Sequence, residues 1–431
     1  MAQRHRRLTD LLLTHPSSPL LFVLALLVLV LAILLSGTAN SLVRARPHAD
    51  GGGTIDVNET VQGELQPGET DVWTFWGQAD QRLSLAVEKS PPDADSVLDP
   101  YLTLVDPDGE IVGEDDNSGV QRDAALLGIR LTRDGLYAAR VSSVGESRGS
   151  YTLSLAENFL PGECEAIQGT IITREWYSPI ANESLAYRVY LPPCYAETPR
   201  RYPYIVLMHG STSSDTHWDN LGVDEAVTTG VALNRLPPVA IVMPYGGEIA
   251  NLNIFYRDGS YEYVILNEVM PAVEEDFCLQ TSGSGRAIGG ISRGGFWAYE
   301  IGLRHPEQFT AIGGHSPVFD LYHAPETHNP LNLIENIEWA DDYPRLYIDR
   351  GRDDYWQVNI DLMAPRLAAN DIPATIVIRE TGTHEDGYWA AHLHEYLAFY
   401  TADWTGGLAT YPLCDITGRG LAPEDSEPVA E

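Results

Sequence analysis

Two stretches of this chain fit the pattern Gly-x-Ser-x-Gly: "GESRG" at 145–149 and "GISRG" at 290–294. The pattern matters because it puts a serine on a sharp turn between a strand and a helix, with its hydroxyl exposed. A serine hydroxyl is a weak nucleophile on its own. It needs a base to take its proton and a carboxylate to orient that base. The flanking residues separate the two stretches. "GESRG" lies between the strand-like runs "LYAARVSSV" and "SYTLSLA", so Ser147 reads as a hairpin-turn residue. "RAIGGIS" is a buried apolar run, and "GGFWAYEIGLRHPEQF" after it has helical spacing. Ser292 therefore sits in the context the pattern demands, and Gly290 and Gly294 leave room where strand and helix pack closely.

In a strand–turn–helix arrangement of this kind the partners follow in the order serine, acid, histidine. His384, His392 and His394 come late enough to be the base. The last two fall inside an amphipathic terminal helix. His384, in "RETGTHEDGYW", follows a strand in a loop, where catalytic groups are displayed. The acid is expected after the preceding strand, "PRLYIDRGRDDYW". Asp349 lies within that strand, and Asp353 and Asp354 lie just past Gly351. The residues themselves do not separate Asp353 from Asp354. An oxyanion hole needs two backbone N–H donors. Arg293, directly after the serine, supplies one, and Ser211 in "YIVLMHGSTSSDTHW" is the expected second. The aromatic residues Trp218, Tyr256, Tyr355, Tyr388 and Trp389 stand near motif ends, where they could stack on an acyl group or a sugar. Trp218, Trp389 and His315 of "GGHSPV" are taken as substrate-binding candidates.

These residues need a frame. From about 165 the chain alternates strands such as "YPYIVLMHG", "PVAIVMPYG", "PRLYIDRG" and "ATIVIRE" with helical patterns such as "YVILNEVMPAVEEDF" and "GYWAAHLHEYLAFYTADW". That alternation builds a mainly parallel α/β sheet covered by helices on both faces. Between about 55 and 157, short alternating strands recur at regular spacing with turn residues between them, which predicts an all-β sandwich.

"VYLPPCY", "RYPYIVLMHG", "YEYVILNEVMPAVEEDF", "AIGGISRGGFWAYEIGLRHPEQF" and "GTHEDGYW" resemble the esterase D family of α/β-hydrolases, over roughly 165–405 and in the family's order. The resemblance implies an α/β-hydrolase fold, Ser292 as nucleophile, His384 as base, and as acid the third residue after the glycine closing its strand, Asp354. It implies a serine esterase cleaving a small-molecule or polysaccharide-linked carboxylic ester, with no metal and no cofactor. Arg293 departs from the methionine or smaller group that many relatives carry there. "GELQPGETDVWTFWG", "LDPYLTLVDPDGEIVGEDDNSG" and "GLYAARVSSVGESRGSYTLSL" resemble the bacterial pre-peptidase C-terminal domain, a non-catalytic β-sandwich accessory of secreted enzymes.

The N-terminus predicts export. "QRHRR" at 3–7 is basic, and residues 19–39 carry no charge. About 20 apolar residues span a hydrocarbon core of about 30 Å, and the basic residues stay on the cytoplasmic side. The expected order is a cytoplasmic segment at 1–18, a transmembrane helix at 19–39, a tether at 40–54, a sandwich at 55–157, a hydrolase domain at 165–410 and a disordered acidic tail at 415–431. A cleaved signal peptide ending at Ala39 is the rival, and it too exports the rest. The four cysteines, Cys164, Cys194, Cys278 and Cys414, are then expected in disulfides. Cys164 paired with Cys414 would staple the ends of the second domain. The net charge of -34 opposes a nucleic-acid partner. "DPDGEIVGEDDN" is oxygen-rich but misses the EF-hand spacing, and solvated turns explain it. An exported serine esterase anchored in the membrane is the leading expectation. A peptidase or acyltransferase of the same fold, or an inactive carbohydrate-binding or adhesion scaffold, is the alternative.

Overall fold

The computed structural model describes residues 51–92, 97–157, 164–256 and 259–415. The first strands do alternate, and they form two facing sheets. β1 (Gly52–Thr54), β3 (Thr70–Gly77), β5 (Pro100–Val105), β6 (Ile111–Asp115) and β8 (Gly135–Ser143) make one sheet, in the order β1-β3-β8-β5-β6. β2 (Glu59–Leu65), β4 (Arg82–Lys89), β7 (Ala124–Arg130) and β9 (Gly149–Glu157) make the other, in the order β2-β9-β4-β7. The inward residues Trp73, Phe75, Leu85, Leu104, Tyr137 and Leu153 fill the space between them. A buried polar chain crosses this core. Trp73 Nε1 donates to the Tyr151 hydroxyl at 2.8 Å, and that hydroxyl donates to Asp71 Oδ2 at 2.5 Å.

Ser147 lies on the hairpin between β8 and β9, where its Oγ accepts the Asp99 N–H at 3.1 Å. The acidic loop residues serve turns as well. Asp106 Oδ1 accepts the amides of Asp108 and Glu110, and Asp115 Oδ2 accepts those of Ser118 and Ala125. The tether expected at 40–54 ends earlier than its glycines suggest, because Gly52–Thr54 pairs in parallel with Val72–Thr74. Glycine is needed there for contact rather than slack. A Cβ on Gly52 would lie 2.0 Å from the Val72 carbonyl oxygen.

The residues from Thr170 to Arg379 hold a sheet of eight strands. They are β10 (Thr170–Ser178), β11 (Glu183–Leu191), β12 (Tyr204–Met208), β13 (Ala240–Pro244), β14 (Arg286–Ile291), β15 (Ala311–His315), β16 (Arg345–Gly351) and β17 (Thr375–Arg379), in the order β10-β11-β13-β12-β14-β15-β16-β17. From β13 to β17 all pairings are parallel, and β10 and β11 join antiparallel. β12, β13, β14 and β15 are buried at every residue. They read as unbroken apolar or glycine runs because helices cover both faces. α1 (Val223–Ala232) packs on one face together with the terminal helices α3 (Asp386–Ala391) and α4 (Leu393–Thr401). α2 (Arg293–Arg304) packs on the other. The C-terminal ends of β12, β14, β15 and β16 lie side by side, which is where an open parallel sheet displays its loops.

Two disulfides join Cys164 to Cys194 and Cys278 to Cys414. The expected Cys164–Cys414 staple is thus corrected. Leu413 bridges Arg200, and Leu279 bridges Tyr202. The segment 411–414 therefore runs along 199–202, which also meets the segment holding Cys278, and the turn after β11 brings Cys194 to Cys164. No helix among the described residues is long and apolar enough to cross a membrane. The apolar run at 19–39 and the tail from 416 lie outside the described residues.

Candidate active site

Ser292 follows β14 directly and caps α2, with φ 55° and ψ -111°. That backbone is strained for a residue with a Cβ, and strain of this kind persists only where its surroundings impose it. Here the surroundings do so on both sides. The Ser292 N–H donates to the His315 carbonyl at 2.9 Å, and the Ser292 carbonyl accepts from Val318 and Phe296. A Cβ on Gly290 would lie 2.3 Å from the Gly294 carbonyl carbon, and one on Gly294 would lie 2.3 Å from the Met208 carbonyl oxygen. Only glycines let α2 start so close to the ends of β14 and β12.

Ser292 and His384 line one cleft of about 870 Å³, together with Gly210, Ser211, Tyr355 and Trp389. His384 Nδ1 lies 3.0 Å from Asp354 Oδ2 and 3.2 Å from Oδ1. Asp354 is wholly buried and also accepts the Trp356 N–H at 2.8 Å. The adjacent Asp353 is exposed. The carboxylate that meets His384 is therefore the second of the pair. The Nδ1–H donates to it, and Nε2 is left as the basic nitrogen. The His384 ring has Tyr355 on one side, centroids 5.0 Å apart, and Trp389 edge-on at 5.1 Å.

The loop after β12 reaches the same serine, since a Cβ on Gly210 would be 3.7 Å from Ser292 Cβ. His209 fixes this loop. Its Nδ1 lies 2.7 Å from the Gly210 carbonyl, and its Nε2 accepts the Gly246 N–H at 2.8 Å. The imidazole is therefore neutral with the proton on Nδ1, and burial pushes its pKa below the ordinary histidine value. Ser211 itself is exposed at the cleft, and its carbonyl accepts from Asn251 Nδ2. Arg293 contributes more than its amide. Its buried guanidinium donates to the Ala250 and Leu252 carbonyls and to Asn253 Oδ1, and lies 4.1 Å from the centre of the Tyr322 ring. The side chain at this departure from the family pattern thus pins the loop after β13.

Of the substrate-binding candidates, only Trp389 lines the cleft. Trp218 is buried, with its Nε1 donating to the Met208 carbonyl. His315 is also wholly buried. Its Nδ1 meets Asp349 Oδ1 at 3.1 Å and its Nε2 the Tyr400 hydroxyl at 2.8 Å. Both expectations took nearness to a motif in sequence for exposure, whereas these side chains point into the core. His392 bonds the Tyr388 carbonyl, and His394 meets Glu88 of the sandwich at 3.2 Å. Neither is in the cleft. Three further contacts have no signal in the residue pattern. His217 Nε2 meets Asp386 Oδ1 at 2.9 Å across the cleft wall. Gln121 of the sandwich donates to the Gly387 carbonyl at 2.8 Å. The Tyr388 and Tyr396 hydroxyls both donate to Asp349 Oδ2 at 2.7 Å. Each joins residues far apart in the chain, where no spacing rule reaches.

The sequence profile of the family described as "Putative esterase" matches residues 178–402, just over half of the chain. An endo-1,4-beta-xylanase/feruloyl esterase of Xylanibacter ruminicola is 27% identical over 150 residues, covering 33% of this chain and 20% of that protein. An esterase of Mycobacterium tuberculosis is 29% identical over 153 residues, covering 33% of this chain and 32% of that protein. The chain therefore spans between 20% and 32% of the length of these curated relatives. Among solved structures, a ferulic acid esterase superposes with a TM-score of 0.50 at 24% identity, over 55% of this chain and 98% of its own. That likeness establishes the shared α/β-hydrolase fold.

Proposed function

The chain belongs to the esterase family whose profile covers its residues 178–402, and from that membership we propose that it is a serine esterase cleaving a carboxylic ester through an acyl-enzyme. The observation that carries this reading is the strained Ser292 backbone at the head of α2, facing the cleft that also holds the Asp354-bound imidazole of His384. Ser292 Oγ attacks the ester carbonyl while His384 Nε2 takes its proton. The N–H groups of Arg293 and Ser211 hold the oxyanion. The alcohol leaves with the proton from His384. Water then attacks the acyl carbon, His384 takes the water proton and returns it to Ser292, and the acid is released. Asp354 fixes the imidazole tautomer and stabilises its charged form.

The aromatic side chains Tyr355, Trp356 and Trp389 on the cleft suit a flat acyl group, and a curated relative is named a feruloyl esterase. A hydroxycinnamoyl ester is accordingly the first substrate class to assay. Residues 55–157 act as an accessory sandwich like that of the pre-peptidase C-terminal family. The apolar run at 19–39 anchors the chain with its catalytic part outside the cell. Two disulfides are in keeping with an oxidising compartment.

A fluorophosphonate probe followed by peptide mapping tests the assignment. Label on the peptide holding Ser292, lost in Ser292→Ala, is the expected result. A folded protein that takes no label, or takes it elsewhere, overturns the serine-esterase reading.

A further inference from the structure

Glu300 lies about two turns along α2 from Ser292 and is wholly buried. Among the described residues, neither of its carboxylate oxygens has a hydrogen-bond partner. The cation beside it is Arg304, whose Nη1 is 3.5 Å from Oε1 without closing a hydrogen bond. Burying a carboxyl group unpartnered is costly. The side chain is aimed at two other potential ligands. One atom each of Glu262, Glu300 and His328 lie within 4.8 Å of one another. Glu262 follows the Ser260 cap on the helix Tyr261–Val264, and its Oε1 lies 2.8 Å from His305 Nε2 and 3.2 Å from Arg304 Nε. His328 comes from the segment before the helix Pro330–Asn336. Glu262 and His328 line a second cavity of about 870 Å³ that includes none of Ser292, Asp354 and His384.

We propose that Glu262, Glu300 and His328 form a binding site for a divalent cation of the zinc type. Two carboxylates with one imidazole match that class, whereas calcium and magnesium take all-oxygen shells. Ligands about 2.0–2.2 Å from an ion stand no more than about 4.4 Å apart, so small side-chain rotations close the set. Three protein ligands leave the fourth position for water, and the cavity gives it access. The ion adds the positive charge that Arg304 alone does not bring to two carboxylates. It ties α2 to the helix at 261–264 and to the segment at 328, so its role is to brace the helix that Ser292 caps.

The test uses the full chain, stripped with a chelator and exchanged into metal-free buffer. Zinc chloride is then titrated in by calorimetry, with thermal unfolding followed in parallel. One saturable equivalent and a rise in Tm are expected. Glu300→Gln and His328→Gln should each weaken binding at least about 10-fold, the scale seen when even an outer partner of a metal ligand is lost. His328 is half-buried, so its variant reads the site should Glu300→Gln fail to fold. Absence of saturable binding overturns the proposal, because Glu300 is then simply a buried neutral acid. Binding that survives unchanged in the variants overturns it equally.

Discussion

The imidazole of His315 donates from Nδ1 to Asp349 Oδ1 at 3.1 Å, and both side chains are wholly buried. The sheet therefore holds a buried histidine–aspartate pair besides His384–Asp354 and His217–Asp386 at the cleft. Asp349 also accepts the hydroxyls of Tyr388 and Tyr396, so one carboxylate takes three donors from three elements. β15 carries the His315 carbonyl that fixes the Ser292 N–H, β16 leads to Asp354, and α3 follows His384. Asp349→Asn leaves at least one of these donors facing an amide N–H₂. Breaking a buried charged network of this kind costs about 3 kcal/mol or more, so denaturant unfolding should show a loss of that order. Tyr388→Phe removes one hydrogen bond and should cost about 1 kcal/mol. In each variant kcat should fall more than KM rises, because the substrate touches neither residue.

Asp354 and Asp353 are neighbours in sequence and opposites in environment. Only Asp354 is buried against His384. Replacing an orienting aspartate by asparagine presents the imidazole with the wrong partner and lowers kcat by about 10⁴-fold at neutral pH. Asp354→Asn should show a loss on that scale in steady-state ester hydrolysis. Asp353→Asn should stay within about 2-fold, as changes at exposed surface positions generally do. Equal losses in the two variants would mean that the acid has been misassigned.

The parts of this molecule that obey local rules are readable from its residues. The elbow at Ser292 announces itself through a buried strand, two glycines and a helical run, and the hairpin at Ser147 through strands on both sides. The parallel core strands are visible as unbroken apolar runs because both faces are covered. What the residues could not disclose depends on three-dimensional closure. Trp218 and His315 stand beside motifs yet face the core, because the periodicity of the element sets a side chain's direction and nearness in sequence does not. The cysteine pairing depends on where the segment 411–414 returns, against 199–202. A glycine run read as slack fails for the same reason at Gly52 and Gly53, where β3 turns it into a strand.

The two disulfides close loops of very different length, with separations of 136 residues for Cys278–Cys414 and 30 for Cys164–Cys194. In the chain-entropy description the longer loop restrains the unfolded state more, by about 1 kcal/mol. The paired serine variant Cys278→Ser/Cys414→Ser should therefore be the less stable of the two double variants. Chemical denaturation midpoints compare them directly, and the reverse order would show that native-state strain outweighs loop entropy.

His209 gives the site a defined response to acid. It is neutral, donating from Nδ1 to Gly210 and accepting the Gly246 N–H at Nε2. Burial lowers its pKa from the ordinary 6.5, and the nearby His217 adds to this. The unfolded chain therefore takes up the proton first as pH falls, and the stability His209 lends is complete above about 6.5 and declines below it. Protonation also sets an Nε2–H against the Gly246 N–H and releases the loop that carries Ser211. The Tm of the wild type should drop between about pH 7 and pH 5, and His209→Asn, which cannot protonate, should start lower at neutral pH and fall less steeply over that range. Parallel curves for the two proteins would assign the acid sensitivity to other groups.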